Sequence, residues 1–294
     1  MKPAAFEFFD PRTLNEALSL LNQYGNEAKI LAGGQSLMPL MNLRLVRPKV
    51  IIDINRVAEL AYIEPGAGGG LAIGGLTRHR ALERSSLVHE RNPLLAETLP
   101  LIGHAHIRNR GTIGGSLVHA DPAAELPALA LLLDAEFVLH SLNGERVVHA
   151  KDFFRSYMTT AIEPAELLAE IRFPAWLAKP GWAMQEVSRR AGDFAMVGVA
   201  ALLTHNGNGT CEDARIALFG VGATPVRIEQ AEALLKGARL DNRILLEAAR
   251  VVSDVLEPDA DVHASAEYRK DVAGVLTRRA LERGMQRLRE ANEV

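Results

Sequence analysis

The chain has 294 residues, of which 48% are hydrophobic, so it can bury a substantial core and is long enough for about two domains. Its formal net charge of −3 excludes the basic footprint that is typical of nucleic-acid-binding proteins. Cys211 is the single cysteine, which excludes an internal disulfide and an iron–sulfur cluster held by the chain's own thiolates. Because the start lacks a signal-peptide core and no apolar run approaches the roughly 18–20 residues of a membrane span, we expect a cytoplasmic protein.

The first 55 residues predict a small α/β unit. Thr13 and Glu16 match a capping box, in which the two side chains satisfy the first backbone N–H groups of a helix, here over residues 13–23. Apolar residues then recur at helical spacing. Strands are predicted before and after the next glycine-rich loop, over Lys29–Ala32 and Lys49–Ile54.

Short helices and strands alternate in the prediction for the next 120 residues. The glycine run Gly66–Gly70 predicts a hairpin turn, because no helix follows it as in a phosphate loop. Thr77 is predicted to cap a short helix, and Pro93 occupies a first helical position. The other predicted elements are a helix over Leu94–Ile102, a helix ending near Leu133, a hairpin of Ala135–His140 and Glu145–His149, and a strand over Leu167–Phe173.

A break near Ala175–Pro180 separates these elements from long strands followed by helices, which predicts a second α+β domain. We expect a three-stranded antiparallel sheet with helices on one face. The predicted elements are strands over Trp182–Arg189, Ala195–His205 and Asp213–Gly220, a turn at Asn206–Gly209, and helices beginning at Pro225, at Asp241 and at residue 265.

Two glycine loops carry the main functional signal, Ala32–Ser36 and Thr112–Ser116. Each has adjacent glycines and ends in a serine. Adjacent glycines let backbone approach a ligand closely and leave N–H groups free, which makes a concavity suited to phosphate. Neither loop matches the Rossmann fingerprint or a P-loop. The pair predicts a dinucleotide cofactor held between two loops that are far apart in sequence.

The loops and their surroundings closely resemble the FAD-binding medium subunit of molybdenum hydroxylases, the xanthine dehydrogenase and carbon monoxide dehydrogenase flavoprotein family. The resemblance covers almost the whole chain. It rests on Ala32–Pro39, Asn42–Arg44, Arg108–Ser116, His119–Glu125, Trp182 together with Arg189–Gly198, and Gly220–Pro225.

The resemblance implies an α+β fold with two domains. Residues 1–176 would form an FAD-binding domain of the vanillyl-alcohol-oxidase type, with subdomains at roughly 1–55 and 56–176, and residues 177–294 would form a C-terminal flavoprotein domain.

The resemblance also assigns cofactor contacts. The two loops would bind the FAD pyrophosphate, and Glu125 would accept hydrogen bonds from a cofactor hydroxyl, with a charge at a helix N-terminus as its alternative role. Gln35 and Gln185 replace the histidine and lysine that are common in relatives. The candidate contacts are Leu31, Ala32, Gly33, Gly34, Gln35, Ser36, Leu37, Ile107, Thr112, Ile113, Gly114, Gly115, Ser116, His119, Asp121, Glu125, Leu168 and Gln185.

The family function implied is electron transfer within a heterotrimeric molybdenum hydroxylase. A large molybdopterin subunit would hydroxylate the substrate, a small [2Fe–2S] subunit would deliver electrons, and FAD on this chain would pass them to NAD⁺ or another acceptor. A dimer of heterotrimers is expected. Two alternatives stay open, a self-contained flavin oxidase of the vanillyl-alcohol-oxidase type and an assembly protein without cofactor. No residue is assigned to catalysis or to a metal, because His104 and His106 lack a third ligand nearby.

Overall fold

A computed structural model describes residues 2–177, 179–206 and 209–292. The strands are β1 (Glu7–Phe9), β2 (Ala28–Leu31), β3 (Val50–Asp53), β4 (Ile63–Pro65), β5 (Leu71–Gly74), β6 (Glu136–Ser141), β7 (Gly144–His149), β8 (Phe154–Ser156), β9 (Thr159–Thr160), β10 (Leu167–Phe173), β11 (Gly181–Ser188), β12 (Ala195–His205), β13 (Cys211–Phe219) and β14 (Val226–Arg227). The helices are α1 (Leu14–Tyr24), α2 (Leu37–Asn42), α3 (His79–Arg84), α4 (Ser86–Arg91), α5 (Pro93–Thr98), α6 (Ala105–Arg110), α7 (Ile113–His119), α8 (Glu125–Leu132), α9 (Ala150–Phe153), α10 (Glu229–Leu235), α11 (Asn242–Val255) and α12 (Ala266–Asn292).

Packing divides the chain into two units that are each discontinuous in sequence. The first unit contains residues 1–92, 104–120 and 135–175, and the second contains residues 93–103, 121–134 and 176–294. Two segments from the first half of the chain therefore pack with the C-terminal residues. The sequence-based domain bounds at residues 176 and 177 stay a prediction.

The first unit contains two main sheets. In the smaller one, β1, β3 and β2 lie side by side and run parallel, and in the larger one the order is β4-β5-β10-β6-β7 with antiparallel pairing. Helix α1 buries Ala17, Leu18 and Leu21 in one core with Val50 and Ile52 of β3. The predicted helix and both predicted strands of the first 55 residues are confirmed.

The second unit is built on the antiparallel sheet β11-β12-β13-β14. Its three long strands are confirmed, and the two-residue β14 extends the sheet. Odd-numbered residues of β12, such as Val197 and Val199, share a core with α10, α11 and α12, while the even-numbered Ala200 and Leu202 are buried too. Because α8 also packs on β12 and β13, we conclude that it covers the opposite face.

Several local predictions are wrong. Thr77 does not cap a helix, because α3 begins at His79 and the Thr77 hydroxyl donates to the carbonyl oxygen of Tyr62 at 2.8 Å. Pro225 precedes β14 and not a helix, since α10 begins only at Glu229. The capping box of α1 is also incomplete. Thr13 Oγ1 accepts from the backbone N–H of Glu16, but the Glu16 carboxylate accepts from Arg12 instead of Thr13.

Two further observations concern regions singled out in the sequence. Residues 207 and 208 of the predicted turn at Asn206–Gly209 lie outside the described residues. Within the described ranges, no helix combines the length and apolar character that crossing a membrane requires.

Candidate cofactor site

The first glycine loop presents a row of backbone N–H groups. It connects β2 to α2 over residues 32–36. In the described part of the chain, the N–H groups of Gly33, Gly34, Gln35 and Ser36 have no protein acceptor. Gly34 has a φ of 72°, a conformation that glycine adopts readily, and it turns the loop. Consecutive N–H groups without internal partners form a concavity that binds anions.

The second glycine loop uses its N–H groups internally. Thr112 is the N-cap of α7, and each of the next four N–H groups finds a protein acceptor. Ile113 N donates to Thr77 O at 3.0 Å, Gly114 N to Gly75 O at 2.9 Å, Gly115 N to Thr112 Oγ1 at 3.1 Å, and Ser116 N to Thr112 O at 3.0 Å. The expectation that both loops leave N–H groups free is therefore wrong for residues 113–116.

Close packing explains the glycines of the second loop. A Cβ atom on Gly114 would lie 2.5 Å from the carbonyl oxygen of Gly75, and a Cβ on Gly75 would lie 2.3 Å from the carbonyl oxygen of Leu168. Backbone cannot yield as a flexible side chain can, so these positions exclude any side chain. The start of α7 thus lies directly against β5 and β10.

The structure brings the two loops into contact within the first unit. A Cβ atom on Gly33 would lie 2.5 Å from the carbonyl oxygen of Arg110 and 2.8 Å from the Cα of Gly111. A Cβ on Gly115 would lie 3.9 Å from the Cβ of Ala32. The first loop therefore packs against the second loop and the two residues that precede it.

The sequence did not single out His79, which lies under the second loop. Its side chain is buried, its backbone N–H donates to Gly111 O at 3.0 Å, and its Nδ1 lies 3.0 Å from where a Gly111 Cβ would be. Burial lowers the pKa of His79 to about 4; a backbone hydrogen bond with Thr112 opposes this shift, and the charges of Arg108 and Arg78 add to it. A neutral imidazole therefore packs here. The sequence feature that could have indicated His79 is its position shortly after the Gly74-Gly75 pair.

The remaining candidates are divided between the units. Leu31 ends β2, Leu37 begins α2, Ile107 lies in α6, His119 ends α7 and Leu168 lies in β10, all in the first unit. Asp121, Glu125 and Gln185 belong to the second unit.

Glu125 is the first residue of α8 and is only 6% exposed. Burial raises its pKa to about 8, and the charges of Glu186 and Asp121 act in the same direction. Glu186, the neighbour of Gln185 on β11, also has its pKa raised by burial, to about 7. At neutral pH, Glu125 mainly carries a proton, so it offers one donor and one acceptor instead of two acceptors.

The structure does not indicate a metal site at His104 and His106. They lie at the start of α6 and not on a strand, with ring centroids 5.6 Å apart. Over the described residues, no group of three or more histidine, cysteine or acidic side chains is placed to hold a metal ion.

Comparison with known proteins identifies the family. A family profile described as the FAD-binding domain in molybdopterin dehydrogenase matches residues 4–176, and one described as the CO dehydrogenase flavoprotein C-terminal domain matches residues 182–283. The chain belongs to the FAD-binding medium subunits of molybdenum hydroxylases. This confirms the family and the FAD cofactor that the sequence predicts.

Individual relatives match along their whole length. The 6-hydroxypseudooxynicotine dehydrogenase complex subunit alpha of Paenarthrobacter nicotinovorans is 42% identical, covering 100% of this chain and 99% of the relative. The carbon monoxide dehydrogenase medium chain of Hydrogenophaga pseudoflava is 40% identical over 96% of this chain and 97% of the relative. A solved structure of carbon monoxide dehydrogenase from the same organism superposes with a TM-score of 0.94 at 41% identity, covering 98% of this chain and 99% of that chain.

The geometry of the first glycine loop also fits a pyrophosphate. Four N–H groups without protein acceptors match the charge and acceptor atoms of a phosphate. No side chain projects from Gly33 or Gly34, so backbone can approach the ligand directly.

Replacing Gly33 tests the contact between the loops. In Gly33→Ala the new Cβ overlaps the carbonyl oxygen of Arg110, so we expect FAD to bind about 5- to 150-fold more weakly, the range that overpacking corresponds to. Titration of the apo-protein with FAD measures this. Gly222→Ala is the control, because Gly222 does not have a left-handed φ and the nearest atom to its added Cβ, the carbonyl oxygen of Thr224, lies 3.9 Å away. Unchanged FAD affinity in Gly33→Ala would contradict the packing argument.

The raised pKa of Glu125 predicts a pH-dependent stability. In the unfolded chain this carboxyl ionises near pH 4.3, whereas in the folded protein it keeps its proton to about pH 8. Its contribution to the free energy of unfolding is therefore complete below the unfolded pKa and lost as pH rises through about 8. Denaturant unfolding should show a weaker fall from pH 5 to pH 8 in Glu125→Gln than in wild type, while the exposed Glu257→Gln keeps the wild-type slope. Equal slopes in wild type and Glu125→Gln would refute this.

Proposed function

We propose that this flavoprotein relays electrons from a small [2Fe–2S] subunit to NAD⁺ or another acceptor, while a large molybdopterin subunit hydroxylates the substrate. The observation that carries the proposal is full-length similarity to medium subunits in a chain with one cysteine. A single thiolate cannot hold a cluster, so reducing equivalents from such a cluster would come from another chain. The proposal includes a dimer of heterotrimers and a cytoplasmic location.

Bound FAD supplies the redox chemistry, and the protein supplies binding and electrostatics. In our proposal, the N–H groups of Gly33–Ser36 hold the pyrophosphate, and the second loop supports them. Glu125 contacts a cofactor hydroxyl, donating from its protonated carboxyl or accepting at its other oxygen. The other candidate contacts named above complete the proposed site.

The experiment is purification of the complex from the native host, followed by metal, flavin and subunit analysis. We expect molybdenum, iron, FAD and two further chains. Under anaerobic conditions, NADH should reduce the flavin of the complex if NAD⁺ is the acceptor, and a lack of reduction would assign a different acceptor.

A self-contained flavin oxidase would behave differently. The chain would then purify without molybdenum and iron, or flavin would remain attached after denaturation. Either result would contradict the relay. The two relatives, which align over 97–99% of their lengths, are named as a subunit of a dehydrogenase complex and as a dehydrogenase medium chain.

A further inference from the structure

A continuous line of hydrogen bonds connects the two glycine loops through Asn55 and Arg78. Asn55 Nδ2 donates to the carbonyl oxygen of Ala32 in the first loop at 2.8 Å. Arg78 Nη2 donates to Asn55 Oδ1, and Arg78 Nη1 donates to the carbonyl oxygen of Arg110, next to the second loop. Two side chains that no motif contains thus link the backbones of both loops.

The side chains of Asn55 and Arg78 are each anchored next to one of the two loops. Asn55 is oriented by Asp53, whose Oδ1 accepts from Asn55 N at 2.9 Å and from Asn55 Nδ2 at 2.5 Å. Asp53 ends β3 and pairs with Leu31, the last residue before the first loop. The orientation of Asn55 is therefore coupled to the strand from which that loop begins.

Arg78 is tied to the second loop by its backbone. It forms an isolated antiparallel bridge with Thr112, and the flanking hydrogen bonds run from His79 N to Gly111 O and from Ile113 N to Thr77 O. The Arg78 side chain then reaches back to Asn55. Both ends of the connection are thus anchored, so it fixes the separation of the loops.

The charge of Arg78 also suits an anionic ligand. Within the described residues, its guanidinium forms no ion pair with a carboxylate, and its partners are neutral oxygens. Burial and the neighbouring charge of Arg110 lower the pKa of Arg78, while the charge of Asp53 raises it. Two cations close together favour an anion between or beside them.

We propose that Asn55 and Arg78 are positioning residues of the FAD site, which hold the two glycine loops at the separation that the pyrophosphate requires. This rests on the proposed role of the first loop as the pyrophosphate site. Neither residue needs to touch the cofactor. Their loss would misplace the N–H groups of Gly33–Ser36, and the ligand's pyrophosphate half would lose affinity first.

The test uses the full-length apo-protein, titrated with FAD and with riboflavin, which lacks the pyrophosphate. Arg78→Met and Asn55→Ala should each weaken FAD binding by about 10- to 100-fold, the range for losing a charge-assisted hydrogen bond, while riboflavin affinity stays within about 2-fold. Arg80→Met is the matched control, because Arg80 lies two residues away and pairs with Glu83 at 2.8 Å instead of a loop. It should leave FAD affinity unchanged.

Two further variants keep the inference falsifiable if one of these fails to fold. Arg78→Lys keeps the charge but cannot donate to both oxygens as guanidinium does, so FAD should still bind more weakly than to wild type. The double variant Arg78→Met/Asn55→Ala should lose little more affinity than the worse single variant, because both interrupt one connection.

Unchanged FAD affinity in Arg78→Lys and Asn55→Ala, or equal losses for FAD and riboflavin, would overturn the positioning role. The outcome differs if the proposed pyrophosphate site itself is wrong. FAD would then leave the amides of Gly33–Ser36 in the wild-type protein unprotected from hydrogen exchange, and the fault would lie with the proposed site and not with the positioning role of Asn55 and Arg78.

Discussion

Close backbone packing around the two glycine loops is the constraint on which the geometry of the proposed site depends. Gly33 lies against the Arg110–Gly111 peptide with no room for a Cβ atom, and Gly114 lies as tightly against Gly75. These contacts stack the first loop on the second and the second on the strands below. Because backbone atoms form each layer, small changes in side-chain packing cannot compensate for a displaced loop. The geometry of the proposed anion site therefore depends on backbone packing.

The two glycine loops are similar in sequence but differ in the hydrogen bonding of their backbone N–H groups. Among the described residues, the N–H groups of the first loop have no protein acceptor, and we propose that they bind the FAD pyrophosphate. The second loop uses its N–H groups in hydrogen bonds to Thr112 and to the segment Gly75–Thr77. Backbone N–H groups with protein acceptors help to hold a segment in place, whereas successive N–H groups without acceptors can bind an anion. A short helix follows each loop, yet in the described part of the chain only the first loop presents a row of backbone N–H groups without protein acceptors.

Much of the fold was predictable because local signals and packing agree. Thr13 before α1 and Asp241 before α11 cap the helices that they were predicted to begin, and the predicted hairpin of Ala135–His140 and Glu145–His149 forms as β6 and β7. The family resemblance predicted FAD correctly. The three-residue β1 was missed, since so short a strand has no periodicity and depends on pairing with β3. The assignment of residues 93–103 and 121–134 to the second unit was missed for a similar reason, because local sequence does not encode such distant packing.

The sequence could predict the candidate site only at the two glycine loops, where recognisable motifs mark the contacts that the backbone makes. Asn55 lies 23 residues from Ala32, and Arg78 lies 32 residues from Arg110, so their contacts have no local signature. The raised pKa of Glu125 depends on burial and on Glu186 of a distant strand. Thr77 resembled a cap by type and spacing, but its hydroxyl bonds Tyr62 instead. In each case tertiary contacts decide which donor meets which acceptor.

Amide hydrogen exchange of the full-length chain, with and without FAD, tests the division between the loops most directly. Without FAD, the amides of Gly33–Ser36 should exchange rapidly and those of Ile113–Ser116 slowly, because only the latter have protein acceptors. Adding FAD should protect Gly33–Ser36 strongly and change Ile113–Ser116 little. If FAD instead leaves the first group exchanging freely and protects only the second, the assignment of the pyrophosphate to the first loop is wrong.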